Sequence, residues 1–164
     1  MATDRYFISR RSGERATSLV VAVIYFDSSA LVKLLISEKG SDLAEELWDG
    51  CDAAVSSRLA YPEVCAALAA AERNNFFARK EISRAASTWE MYWNAMRLIE
   101  LNAQIAKNAG ALARKSMLRG ADSVHLASAL AVGMDDLVVA VWDRQLHAAS
   151  LSAGLRVAPA SISS

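Results

Sequence analysis

The chain has 164 residues, 54% of them hydrophobic and 22% charged, with 18 Lys+Arg against 18 Asp+Glu. That length and apolar content suit one globular domain with a real core and exclude a disordered chain. With zero net charge, any nucleic-acid partner has to be met by a local patch.

Residues 1–18 carry four arginines and several Ser/Thr but no apolar stretch ending in a small-residue cleavage site. They read as a mobile N-terminal tail, with 19–164 as the folded domain. Val21–Phe26 is a continuous apolar run, long enough for a buried strand and far too short for a bilayer. The expectation is a cytoplasmic protein with no membrane partner. Ser28 or Ser29 can cap the next helix, which carries Leu31, Val32, Leu34 and Leu35. A helix over Ser41–Trp48 ends at Gly50, and Ala53–Ser56 reads as a short strand. Pro62 sits where a first helical turn tolerates it, opening an alanine-rich helix to about Arg73. Further helices are predicted over Arg79–Met96 and Ala103–Met117, with a short extended piece at Arg97–Leu101 between them. Gly120 breaks the pattern before a helix over Asp122–Val132. Leu137–Val141 is a second apolar strand, Gln145–Ser152 a helix stopped by Gly154, and Leu155–Val157 a closing strand.

Strands separated by helices predict right-handed βαβ crossovers and a single α/β/α sandwich around a parallel sheet of four to five short strands. Ligands of such a sheet bind outside the carboxyl ends of its strands. Asp27 and Asp143 end the two long strands there, and Glu63 and Asp122 enter helices that start at the same rim. Each alone has a plain explanation, since an acid in a first turn serves the helix dipole and a strand-end Asp caps the next helix. Together they are harder to explain, because no Lys or Arg stands beside Asp27, Glu63 or Asp122 in sequence, and clustered carboxylates repel without a cation. Oxygen-only ligands suit Mg²⁺ or Mn²⁺.

The stretches "YFDSSALVKLL", "SSRLAYPEVCAAL", "LRGADSVHLASAL" and "VVAVWDRQLHAASLSAGLRV" resemble, in order and spacing, the four motifs of PIN-domain ribonucleases. They are most similar to the toxin component of VapBC-type toxin–antitoxin pairs, over about residues 23 to 160. The resemblance implies a Mg²⁺- or Mn²⁺-dependent endoribonuclease acting on single-stranded regions of RNA. It also implies a homodimer held inactive by a cognate VapB-type antitoxin, in a larger toxin–antitoxin assembly. Its acidic site would be Asp27, Glu63, Asp122 and Asp143, with Asp27, Asp122 and Asp143 holding metal. Glu63 would ligate or orient a water, and Ser29 would support a site carboxylate. Family members often carry Thr or Ser two residues before the last acid, where this chain has Val141.

Other residues read more plainly. Asp122 and His125 share a helix face at i, i+3, but His125 lies in an apolar run and reads as a packed histidine. Asp135 and Asp136 fall in a polar turn and read as solvated. Trp89, Tyr92 and Trp93 read as packing rather than base stacking, and Cys65, among alanines, as buried. Neither cysteine has a Cys-x-x-Cys or histidine neighbour, so both read as reduced thiols. Two rival functions follow from the same acids. One is a phosphoacceptor receiver domain, which would want a lysine after a late strand where Arg144 stands. The other is a catalytically silent PIN-like module that only binds its antitoxin or RNA.

Overall fold

The structure is a computed structural model, and it describes residues 22–162. The expected tail lies outside the described residues. Strand β1 (Val23–Phe26) leads into helices α1 (Ser28–Lys33) and α2 (Ser41–Gly50), then strand β2 (Ala53–Ser57). Helices α3 (Ala60–Arg73) and α4 (Arg79–Ala95) precede β3 (Arg97–Ile99). Helices α5 (Ala103–Ser116) and α6 (Gly120–Ala131) precede β4 (Val138–Ala140), and α7 (Arg144–Ser152) leads to β5 (Arg156–Ala158). The alternation read from the sequence is therefore present, and the piece at residues 97–99 is a true strand. Boundaries differ in places: α1 ends at Lys33, leaving Leu34 and Leu35 outside the helix expected to carry them, and Gly120 does not break the helix but begins it, after Arg119 in extended backbone.

The strands form one sheet in the order β3-β2-β1-β4-β5, parallel throughout. From β1 the chain first builds outward through β2 and β3, then returns to place β4 on the other side of β1. The strand order thus reverses between β1 and β4, the place where ligands of open α/β sheets bind at the carboxyl ends of the strands.

Because side chains alternate across a strand, β1 feeds two cores. Ile24 and Phe26 pack with Ala30, Leu31, Val64, Leu68 and Trp89 from α1, α3 and α4. Val23 and Tyr25 pack on the opposite face with Leu126, Val139, Leu146 and Val157. Tyr25 and Phe26 are fully buried, each contributing on the order of 1.5–3 kcal/mol from apolar area alone. The helical layers on both faces make the expected α/β/α sandwich. Trp89 packs against Trp93 at 5.4 Å between ring centroids, and Tyr92 against Trp48 at 4.5 Å, so these aromatics serve packing. Cys65 is only half-buried rather than enclosed, as is Cys51; both are free thiols. Asp135 and Asp136 are exposed, and Asp136 pairs with Arg156 at 2.9 Å. Among the described residues no helix is long and apolar enough to cross a membrane.

The loop before α2 braces the sheet end. Gly40 has φ +95°, and a Cβ there would come within 2.6 Å of Trp142 Nε1. Lys33 Nζ lies 5.4 Å from the centre of the Trp142 ring and is held by Glu38 and the Lys39 carbonyl, both at 2.8 Å. Gly40→Ala meets both a left-handed backbone and the indole. It should cost about 1–3 kcal/mol, read as a fall in Tm of several degrees in thermal unfolding.

Candidate active site

Asp27 follows β1 directly, and its extended backbone (φ −80°, ψ 173°) makes it the N-cap of α1. Its Oδ1 accepts from Ala30 N at 3.0 Å and from Ser29 Oγ at 2.7 Å. The expected cap, Ser28 or Ser29, is therefore corrected: both serines already lie inside the helix, and the half-in position belongs to the residue that ends the strand. Asp143 has the same role one strand over. It caps α7, its Oδ1 accepting from Gln145 N and Leu146 N, both at 2.9 Å.

Ser29 joins the two caps. While its hydroxyl donates to Asp27, the oxygen accepts from Trp142 N at 2.7 Å and Asp143 N at 3.2 Å. A hydroxyl thus does reach the backbone of the last acid, from α1 rather than from β4. Val141 is fully buried in the core.

Asp122 lies in the first turn of α6 and is buried. Arg119 Nε donates to its Oδ2 at 2.8 Å, and Arg119 Nη2 donates to Asp143 Oδ2, also at 2.8 Å. One guanidinium therefore bridges two of the acids. The reading that no basic residue neutralises Asp122 is overturned: Arg119, three residues earlier, turns back because the helix starts between them. The signal was present in sequence as the i, i+3 spacing.

Glu63, in the first turn of α3, receives donors on one oxygen only among the described residues. Its Oε2 accepts from Ser28 Oγ and from His125 Nε2, the latter at 2.7 Å. His125 is 2% exposed, and its Nδ1 lies 2.8 Å from Tyr25 OH. It is packed, as expected, but its hydrogen bonds go to Glu63, Ser28 and Tyr25. Sequence reasoning missed the Glu63–His125 pair because the partners are far apart in the chain.

Burial pushes the Asp27 carboxyl above its ordinary range, against the pull of the His125 charge and the Ser29 hydrogen bond. Burial works the same way on Glu63, but His125, Ser28 and the Arg119 charge outweigh it and hold that carboxyl below its ordinary range. Ser29 joins Asp27 to the backbone of Asp143, and Arg119 joins Asp143 to Asp122, while Glu63 is held separately by Ser28 and His125. Among the described residues no three His, Cys, Asp or Glu side chains are grouped as a ready metal cluster. The donors are hard oxygens, and a cation already stands between Asp122 and Asp143. Such a set fits a divalent ion like Mg²⁺ or Mn²⁺.

The PIN-domain sequence profile matches residues 24–149, which include all four acids. The ribonuclease VapC49 of Mycobacterium tuberculosis is 61% identical over 140 residues, covering 85% of this chain and 97% of that protein. The chain belongs to the PIN-domain family, among the VapC ribonucleases. Solved PIN-domain structures agree in fold. VapC20 of M. tuberculosis, described as a sarcin–ricin loop cleaving toxin, aligns with TM-score 0.59 at 17% identity over 77% of this chain and 94% of that one. A toxin–antitoxin complex from Klebsiella pneumoniae contains a chain aligning with TM-score 0.54 at 20% identity, over 73% of this chain and 86% of that one.

Two outcomes follow for the metal-free protein of this PIN-domain member. Folded Asp27 holds its proton more tightly than unfolded Asp27, so stability falls as pH rises from the ordinary carboxylate value through the raised one. Glu63 acts oppositely, its contribution being lost as pH falls through its lowered value. Asp27→Asn keeps the cap and removes the buried charge, so in EDTA it should unfold at a higher temperature than wild type at neutral pH, with the gap closing in acid. Arg119→Ala leaves Asp122 and Asp143 without their shared cation. Its metal-free Tm should drop at neutral pH, and Mn²⁺ should raise its Tm by more than it raises that of wild type.

Proposed function

We propose that this chain is a metal-dependent endoribonuclease, the toxin of a type II toxin–antitoxin pair, cleaving phosphodiester bonds in single-stranded regions of RNA. The observation that supports the reading is that Asp27 and Asp143 cap helices at the ends of β1 and β4, with Arg119 tying Asp143 to Asp122, in a chain 61% identical to a ribonuclease. Asp27, Asp122 and Asp143 would hold Mg²⁺ or Mn²⁺, which supplies a Lewis acid for the phosphoryl oxygens and an activated water for in-line attack. Ser29 fixes one oxygen of Asp27 and leaves the other for the cation. Glu63 would ligate or orient the attacking water. Arg119 has its side chain 68% exposed, so it can leave the two aspartates and remain at the rim, where a phosphate would need positive charge.

The receiver-domain reading falls with the family assignment. A silent module differs from an active one only in turnover, which the test below reads. The partner reading rests on two supports. A toxin–antitoxin complex contains a chain of the same fold, and Asp122 and Asp143 already accept a guanidinium from within the chain. A cognate VapB-type antitoxin could present arginine to the same acids, since its planar fork suits carboxylates and stays charged. A homodimer and a larger toxin–antitoxin assembly complete the proposal.

Purified protein should cleave single-stranded RNA with Mg²⁺ or Mn²⁺ and stop with EDTA. Asp27→Asn and Asp143→Asn should each lower the rate roughly a thousandfold, several kcal/mol of barrier, while keeping a native circular dichroism spectrum. Asp135→Asn should change little. Cleavage that survives EDTA, or an Asp135→Asn loss as large as that of Asp27→Asn, contradicts the assignment.

A further inference from the structure

Glu63 and His125 belong to helices on opposite faces of the sheet. Val64 and Leu68 place α3 in the core under Ile24 and Phe26, whereas Leu126 and Ala129 place α6 in the core under Tyr25. The hydrogen bond between Glu63 and His125 therefore crosses the carboxyl end of the sheet, beside the site. Its protons can be assigned from the partners. Tyr25 OH lies 2.8 Å from His125 Nδ1 and fixes the ring's orientation, and because a carboxylate oxygen can only accept, the 2.7 Å contact with Glu63 puts a proton on Nε2. Nε2–H then donates to Glu63 Oε2, and Ser28 donates to the same oxygen. A carboxylate oxygen has two lone-pair sites. Both of those on Oε2 are taken, and Oε1 receives no hydrogen bond among the described residues.

We propose that His125, oriented by Tyr25, is a positioning residue that reserves Glu63 Oε2 and so presents Glu63 to the reaction through Oε1 alone. Glu63 cannot chelate a cation with both oxygens; it serves as a single-oxygen ligand or as the acceptor that aims a water. Tyr25 lies in β1 two residues before Asp27, and His125 shares α6 with Asp122. The relay thus sets Glu63 in register with the two acids whose elements it is built on. The inference rests on the nuclease reading above and deepens it.

The test is a double-mutant cycle, because a residue that only packs costs the same whatever stands at position 63. His125→Asn removes the donor at Nε2. It should lower kcat on single-stranded RNA by about 10–100-fold, leave KM within about twofold, and weaken Mn²⁺ binding by calorimetry about tenfold. In a Glu63→Ala background the same substitution should change neither kcat nor Mn²⁺ affinity by more than about twofold. His125→Gln, whose side-chain amide can still reach Glu63, should recover a good part of the loss. If His125→Asn does not fold, Tyr25→Phe, which deletes one hydroxyl, is carried through the same cycle and should show a smaller kcat loss, again only when Glu63 is present. Equal losses in both backgrounds, or an unchanged kcat in His125→Asn, would overturn the proposal. Wild type without metal-dependent cleavage, or Asp27→Asn as active as wild type, would instead sink the nuclease reading. An active wild type, a dead Asp27→Asn and an unaffected His125→Asn would refute the positioning role alone.

Discussion

Burial of carboxylates at one sheet edge sets the terms for the rest of this molecule. An ionised group taken out of water costs on the order of several kcal/mol unless it is paired or hydrogen-bonded, a large share of a domain's net stability. Asp27 carries the heaviest burden, at 4% exposure. Each acid is compensated differently. Asp27 takes a helix-cap amide and the Ser29 hydroxyl, Glu63 takes Ser28 and His125, and Asp122 and Asp143 share Arg119. The compensations are not equivalent. Those of Asp27 and Glu63 come from buried or half-buried groups on the scaffold, while that of Asp122 and Asp143 comes from a long, exposed side chain. The carboxylates are fixed, and the cation between two of them is the part free to move.

That asymmetry suits a site that must exchange one positive charge for another. A divalent ion held by Asp122 and Asp143 would displace a guanidinium whose side chain is already 68% exposed and returns readily to water. The uncomfortable Asp27 charge gains most from the exchange. On the proposed metal reading, the stability that burial costs at Asp27 keeps the site ready for the cation, as strained functional sites commonly do.

Much of this was legible in the sequence, for reasons that also explain what was not. The apolar run ending at Asp27 announces a buried strand handing a carboxylate to a rim, and a parallel sheet fixes which rim. The acids of α3 and α6 were legible because an acid in a first turn sits at that same edge. What escaped was contact across space or across a helix boundary. Arg119 looked unrelated to the site until the start of α6 at Gly120 turned its side chain back over Asp122. The apolar run around His125 classed it as packing, and only the fold reveals that both its ring nitrogens are engaged. The missing hydroxyl at Val141 looked like a defect because nothing local shows Ser29 reaching the amides of Trp142 and Asp143 from another element.

The central claim is that these carboxylates form a divalent-cation site whose metal-free counter-charge is Arg119. Anomalous diffraction from crystals of the protein grown with Mn²⁺ tests it most directly. The account predicts a manganese peak within roughly 2.0–2.6 Å, the range for hard cations on oxygen, of carboxylate oxygens of Asp27 and Asp143 or Asp122. It also predicts that the Arg119 side chain has left both aspartates. Manganese bound elsewhere, or an occupied site with Arg119 still bridging Asp122 and Asp143, would contradict it.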